Sequence, residues 1–176
     1  MDITLLQYPI GKLSYNGFST DEIRKERIDR IASLPQRLRE VVIPLSEEQL
    51  DTPYRPGGWT LRQVIHHVPD SHINAYVRLR WTLTEETPRI KAYDENAWSQ
   101  LPDYAGAVEP SLALLEAVQL RFVALWRALD QADWSRSFIH PETDSEVSLD
   151  LMLAQYAWHG DHHLAHVTHT AERLGW

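Results

Sequence analysis

The segment near the C-terminus is rich in histidine. Of the nine histidines in the 176-residue chain, five stand at positions 159, 162, 163, 166 and 169. On a helix with 3.6 residues per turn, His159 and His163 lie one turn apart on the same face, and His166 shares that face. Two imidazoles at i and i+4 can reach one ion at a metal–nitrogen distance of roughly 2.0–2.1 Å. The spacing therefore predicts a metal site at His159 and His163.

The same face carries apolar side chains, so an alternative has to be weighed. Met152, Tyr156 and Leu174 share it, and these histidines are therefore expected to point into the protein. Any one of them could be a buried histidine satisfied by an ordinary hydrogen bond. Two or three imidazoles on one apolar face are costly to bury without a shared partner, however. The cluster favours a shared metal ion.

A third ligand has to come from another segment, which offers His66, His67 and His72. Helical periodicity leaves the choice open. His72 falls in the middle of the apolar stripe and could be a core residue, His66 falls on the opposite side, and His67 lies at the edge beside Asp70. Pro69 removes one backbone hydrogen bond and is expected to bend the helix here.

Four amphipathic segments with helical spacing must position these histidines, and they predict an all-α fold. The first is predicted to begin at Ser19, with Glu22 reaching back to form a capping box, and Pro35 should kink or split it. Its predicted buried residues are Ile23, Ile28, Ile31, Leu34, Leu38 and Val41.

Capping pairs mark the next two helical starts. Ser46 with Gln49 predicts a short helical turn, and Thr60 with Gln63 opens a helix that runs to about Thr84. This second long helix carries the candidate third ligand. Its predicted apolar stripe is Leu61, Val64, Ile65, Val68, Ala75, Tyr76 and Leu79.

The third helix is predicted to start near Pro110, and Ser148 should open a last helix that extends almost to Leu174 before Gly175. The third stripe is Leu112, Leu115, Val118, Phe122, Leu125, Trp126 and Leu129. The long connection 87–110 contains several aromatic residues. It can be a packed loop that covers a site or an ordinary crossover of a four-helix bundle.

Composition sets limits on the function. The chain has no cysteine, which excludes disulfides, thiolate ligands and a cysteine nucleophile. Its formal net charge of -8 disfavours binding to nucleic acid or anionic membranes. No segment predicts a signal peptide or a membrane span. We expect a single cytoplasmic domain over residues 1–176.

Several motifs resemble the DinB-like superfamily, and within it the YfiT-type proteins described as metal-dependent hydrolases or bacillithiol transferases. The likeness covers nearly the whole chain. It is carried by residues 8–11, 50–55, 57–60, 62–67, 70–72, 83–88, 93–95, 97–98, 158–159, 162–163, 166 and 175–176. The resemblance implies a four-helix bundle with a long crossover loop and an irregular N-terminal arm. It also implies a homodimer.

The resemblance selects the third ligand. It implies one divalent transition metal per chain, zinc or nickel, bound by one histidine of the second long helix and a pair in the last. Carried over by position, these ligands are His67, His159 and His163. Three neutral imidazoles leave a coordination position open, as in catalytic sites. Gly160 stands where a metalloprotease HExxH motif has its glutamate, so a peptidase is not expected.

We therefore predict a metal-dependent hydrolase or low-molecular-weight thiol S-transferase that activates water or a thiol, such as bacillithiol, for attack on a small electrophilic substrate. Candidate bases or residues that orient the ligands are Asp70, His66, His162 and His166, and each could equally be a structural hydrogen-bonding partner. One alternative is a non-catalytic metal-binding or stress-associated bundle. Another is a bundle whose histidines are simply core residues.

Overall fold

Four long helices dominate the computed structural model, which describes residues 3–176. They are α2 (Asp21–Val42), α4 (Leu61–Thr84), α6 (Glu109–Ala128) and α7 (Leu149–Leu174). Short helices α1 (Ile3–Gln7), α3 (Glu47–Leu50) and α5 (Glu95–Trp98) lie between or before them. Met1 and Asp2 of the predicted N-terminal arm lie outside the described residues. None of the helices in residues 3–176 combines the length and the apolar composition that a membrane span needs.

The predicted capping residues are confirmed at three of four positions, and α6 begins at Glu109, next to the predicted Pro110. Ser46 and Thr60 each form a capping box, and Ser148 caps α7, which ends at Gly175 in the left-handed conformation. The prediction for α2 was wrong, because Thr20 rather than Ser19 caps it. The Ser19 hydroxyl is turned inward and donates to Asp150.

The predicted stripes mark the buried faces of the helices, although Tyr76, Val118, Leu125 and Leu129 are only half-buried and two residues of α2 depart from its predicted stripe. Ile23 was expected in the core but is 39% exposed, and Val41 is only half-buried while Val42 is buried. The prolines Pro35 and Pro69 lie inside α2 and α4, and neither divides its helix.

Each long helix packs on two others. Helices α6 and α7 both contact α2, and both contact α4, so the four helices form a bundle in which α2 and α4 lie diagonally opposite. The connection 85–108 holds α5 and a 3₁₀ turn at Pro102–Ala105. Strands β1 (Ser137–His140) and β2 (Ser145–Ser148) form an antiparallel hairpin before α7, and no strand was predicted there.

The apolar core is divided into two clusters by a polar layer. One cluster contains residues such as Ile31, Leu79 and Phe122, and the other contains residues such as Leu38 and Leu115. Along all four helices the boundary falls at the same level. On α4, α6 and α7 the residues at that level are His67, His72, Gln119, His159 and His163. The histidines therefore occupy the middle of the bundle, between the two apolar clusters.

Gly160 allows α7 to pack closely on α2 at this level. A Cβ atom built on Gly160 would lie 2.5 Å from Leu34 Cδ2. Leu34 is itself fully enclosed in the core, which leaves it little room to move. The position that would carry the glutamate of an HExxH motif thus faces the neighbouring helix.

Gly160→Ala is expected to lower the free energy of unfolding by up to about 2 kcal/mol, because an overpacking cost of about 1–3 kcal/mol outweighs the gain of about 1 kcal/mol in helix propensity. Urea denaturation measures the change. In a Leu34→Ala background the added methyl group has space, so the same substitution should become stabilising. An equal loss in both backgrounds would contradict the packing role of Gly160.

Candidate metal centre

His67 of α4 meets His159 and His163 of α7 in the polar layer, and we call these three residues the histidine triad. Each offers one ligand nitrogen, and the three atoms lie within 4.8 Å of one another. His67 Nε2 and His159 Nε2 are 3.2 Å apart. Two nitrogens that bind one ion tetrahedrally at roughly 2.0–2.1 Å lie about 3.3–3.4 Å apart. The three residues therefore fit a single metal ion.

The triad imidazoles are held in the neutral form, which is the form that binds metals. Burial lowers the pKa of His67 to about 4, and His162 adds to the effect. The pKa values of His159 and His163 also fall well below the ordinary value, first through burial and then through repulsion by neighbouring histidines. At neutral pH the site thus presents three uncharged ligands.

A hydrogen-bonded chain determines which nitrogen of His163 is free. His166 Nε2 lies 3.2 Å from the carbonyl oxygen of Gln7, which can only accept, so Nε2 carries the proton. Nδ1 of the neutral His166 ring is then an acceptor, and His163 Nδ1 donates to it over 3.3 Å. His163 Nε2 therefore keeps its lone pair free, and the hydrogen bond to His166 fixes the orientation of the His163 ring.

A second group of histidines, His162, His163 and His166, also brings three ligand atoms within 4.8 Å. Both nitrogens of His166 are already engaged, one by Gln7 and one by His163. Use of this group for a metal would break that chain. The triad with His67 is accordingly the better candidate.

Two of the predicted base candidates lie away from the triad. His66 donates from Nε2 to the Gly106 carbonyl and accepts from the Ser111 hydroxyl, so both its nitrogens are satisfied. Asp70 accepts a 2.6 Å hydrogen bond from Tyr104, and burial raises the pKa of its carboxyl group. Their catalytic roles stay predictions, and the contacts that we observe are structural.

His162 and His72 are closer neighbours of the triad. His162 stacks on Trp158, with ring centroids 4.5 Å apart, and burial lowers its pKa to about 4. His72 accepts a 2.7 Å hydrogen bond from the Gln119 amide, and its ring centroid lies 5.7 Å from that of His159. His162 lines the cavity described next, whereas His72 is enclosed completely.

A cavity of about 320 Å³ opens onto the triad. Its walls combine aromatic rings with polar groups from α4, α7, the connection 85–108 and the β hairpin. Besides the triad and His162, the lining includes Trp59, Ser71, Arg78, Tyr93, Glu95, His140, Glu142, Tyr156 and Trp158. A site with three neutral ligands and an adjoining cavity is typical of a catalytic metal centre.

Comparison with known proteins identifies the family of this chain. The sequence profile of the DinB superfamily matches residues 30–167. The chain belongs to the DinB superfamily. Two relatives, from Oceanobacillus iheyensis and Bacillus mycoides, are 50% and 47% identical over 97% of this chain and 98% of their own. Each bears the name "Putative metal-dependent hydrolase".

Solved structures show the same fold for this DinB protein. YfiT from Bacillus subtilis, described as "a probable metal-dependent hydrolase with an unusual four-helix bundle topology", matches with a TM-score of 0.95 and 44% identity. The match covers 98% of this chain and 99% of YfiT. TT2238, a four-helix bundle protein, matches with a TM-score of 0.53 and 23% identity, which supports the fold alone. The predicted four-helix bundle is confirmed.

Sequence reasoning missed several residues of the DinB site. Arg78, Tyr93 and His140 line the cavity but come from three separate parts of the chain. Arg78 left a detectable signal, because a charged residue stands on the buried stripe of α4 between Ala75 and Leu79. Tyr93 lies in the aromatic connection 87–110, for which a loop that covers a site was one of the two predicted alternatives. His140 left no signal, since no periodic pattern relates a hairpin strand to the helices.

Proposed function

We propose that this chain is a metal-dependent enzyme that holds one divalent transition metal at His67, His159 and His163 and directs a small nucleophile at a small electrophilic substrate. The observation that carries the proposal is the convergence of three neutral imidazoles beside a cavity. A divalent ion bound there supplies Lewis-acid activation and lowers the pKa of a water or thiol ligand. The imidazole set accommodates zinc or nickel.

The residues around the triad favour a low-molecular-weight thiol, such as bacillithiol, as the nucleophile. The two cavity carboxylates, Glu95 and Glu142, are exposed, and no carboxylate of residues 3–176 forms a hydrogen bond with a triad histidine. A thiol ionises more readily than water and has less need of such a base. The cavity walls offer aromatic surfaces, including Trp59 and Trp158, for a small organic substrate.

Hydrolysis is the second candidate, and the names of the relatives favour it. In that case a water is the nucleophile, and His162 is the residue best placed to handle a proton, because it lines the cavity and its Nδ1 has no partner among residues 3–176. The homodimer stays a prediction of the resemblance.

The test compares both reactions on one preparation. Protein stripped with a chelator and reloaded with zinc or nickel is assayed for conjugation of bacillithiol to a chlorinated aromatic electrophile and for hydrolysis of a nitrophenyl ester. We expect conjugation that depends on metal and is lost in His163→Ala. The control His169→Ala alters an exposed histidine of the same helix and should retain activity.

Each outcome of this comparison has a distinct meaning. Ester hydrolysis without conjugation would identify water as the nucleophile and contradict the thiol. Tight metal binding with neither reaction would instead support a non-catalytic metal-binding protein. Conjugation at an equal rate in metal-free protein would contradict the metal-dependent mechanism.

A further inference from the structure

Arg78 is a buried cation that lines the same cavity as the histidine triad. It lies on the inner face of α4, and only 8% of the residue is exposed. The position is notable because its neighbours along that face, Ala75 and Thr82, are also buried. A guanidinium therefore faces the interior close to the candidate metal centre.

The hydrogen bonds of Arg78 are fewer than a buried guanidinium can make. Nη2 donates to the carbonyl oxygen of Lys91 over 3.2 Å, and the guanidinium also hydrogen-bonds the Tyr156 hydroxyl. Nε is buried without a hydrogen-bond partner, and so is Nδ1 of His140, which lines the same cavity from β1. A guanidinium has five N–H donors. Two unpartnered polar groups from different elements thus meet at one cavity.

No carboxylate of residues 3–176 forms an ion pair with Arg78, in contrast to the other two buried arginines. Arg24 pairs with Asp150 at 2.7 Å, and Arg62 pairs with Asp51 and Glu47. Burying an unpaired guanidinium costs several kcal/mol. The cavity carboxylates Glu95 and Glu142 are exposed and do not offset this cost by pairing with it.

The groups that face Arg78 are neutral hydrogen-bonding side chains. Burial raises the pKa values of Tyr93 and Tyr156, so both phenols keep their protons at neutral pH. Burial and the charge of Arg78 lower the pKa of His140. The part of the cavity wall around Arg78 therefore carries one positive charge with hydroxyl and imidazole groups beside it, in a protein whose net charge is -8.

We propose that Arg78 binds a carboxylate of the substrate. The substrate, whether it is the thiol or the electrophile, then places its carboxylate in the cavity and its reacting end at the triad. The guanidinium matches a carboxylate in shape and charge and can bind it with two hydrogen bonds. This inference rests on the proposed function for its reacting end, although the carboxylate subsite itself is tested by binding alone.

The binding test uses two probes that share the thiol and the carbon chain, one with a charged carboxylate and the other with a neutral ester. Isothermal titration calorimetry compares 3-mercaptopropionate with its methyl ester on the zinc-loaded protein. We expect the acid to bind about 10- to 100-fold more tightly, and Arg78→Met to abolish that preference while it leaves the affinity for the ester unchanged. Arg78→Lys should retain part of the preference because it keeps the charge. Arg80→Gln, an exposed arginine of the same helix, should behave as the wild type.

A stability measurement separates this role from a structural one. Because the cation is uncompensated, Arg78→Met should leave the melting temperature unchanged or raise it. A structural arginine would instead lower it. Equal affinity of the wild type for acid and ester, or a preference that survives in Arg78→Met, overturns the subsite. If the wild type preferred the acid but catalysed neither conjugation nor hydrolysis, the proposed function would be overturned and the carboxylate subsite would stand.

Discussion

Replacement of His67, His159 or His163 by alanine is expected to reduce the affinity for zinc by on the order of 10³-fold. Changes to residues that merely orient a metal ligand cost roughly 10- to 100-fold, and loss of one of three ligands should cost more. The two remaining imidazoles also lose the geometry that holds them together. Competition with a chromophoric chelator measures the affinity of each variant.

The controls for these variants are other histidines of the same helices. His169→Ala changes an exposed residue, and His66→Ala changes a buried one whose partners are Ser111 and Gly106. Both should keep wild-type affinity for zinc, although His66→Ala is expected to be less stable. If any triad variant kept that affinity too, the residue concerned would be removed from the site.

Acid should unfold the metal-free protein at an unusually high pH. The pKa values of His67 and His162 are lowered to about 4, and those of His72 and His166 to about 3. In the unfolded chain each histidine titrates near 6.5. As pH falls below that value, the unfolded chain therefore takes up protons that the folded protein excludes, and the folded state loses stability until the pH passes the lowered values.

The free energy of unfolding is expected to fall steeply with pH. Each proton of difference changes the free energy of unfolding by about 1.4 kcal/mol per pH unit, so four histidines approach about 5 kcal/mol per pH unit near pH 5. A domain with the usual ~5–15 kcal/mol of stability unfolds before pH 4 under such a slope. Urea titrations of metal-free protein between pH 7 and pH 5 measure it.

Two comparisons test whether the buried histidines cause the loss of stability in acid. His72→Gln removes one enclosed histidine and should reduce the slope by about one proton, after correction for its lower starting stability. Saturation with zinc should move the loss of stability to lower pH, because the ion binds only the folded site. A free energy of unfolding that is constant from pH 7 to pH 5 would contradict the buried neutral cluster.

Local signals in the sequence sufficed for most of the fold. The capping boxes at Ser46 and Thr60 fixed the starts of two helices, because each depends on residues only three positions apart. The error at Ser19 has a tertiary cause. Two adjacent hydroxyl residues could cap α2, and Asp150, far away in sequence, engages Ser19 and leaves Thr20 for the helix. The β hairpin was missed because its strands have four residues each.

The sequence predicted those parts of the candidate site whose residues lie close together in the chain. His159 and His163 are related by one helical turn, so their pairing followed from spacing alone. The choice of His67 over His66 and His72 needed the family resemblance, since all three are buried and periodicity ranks none of them first. The structure distinguishes them by their partners: Ser111 and Gly106 satisfy His66, whereas Gln119 engages His72.

The most direct test of the central claim is X-ray absorption spectroscopy of the zinc-loaded protein. The histidine triad predicts three imidazole nitrogens at roughly 2.0–2.1 Å and at least one further light ligand that is not a histidine. Each of His67→Ala, His159→Ala and His163→Ala should show fewer imidazoles or no bound zinc. A wild-type spectrum with fewer than three imidazoles, or with four in a closed shell, would contradict the open three-histidine centre.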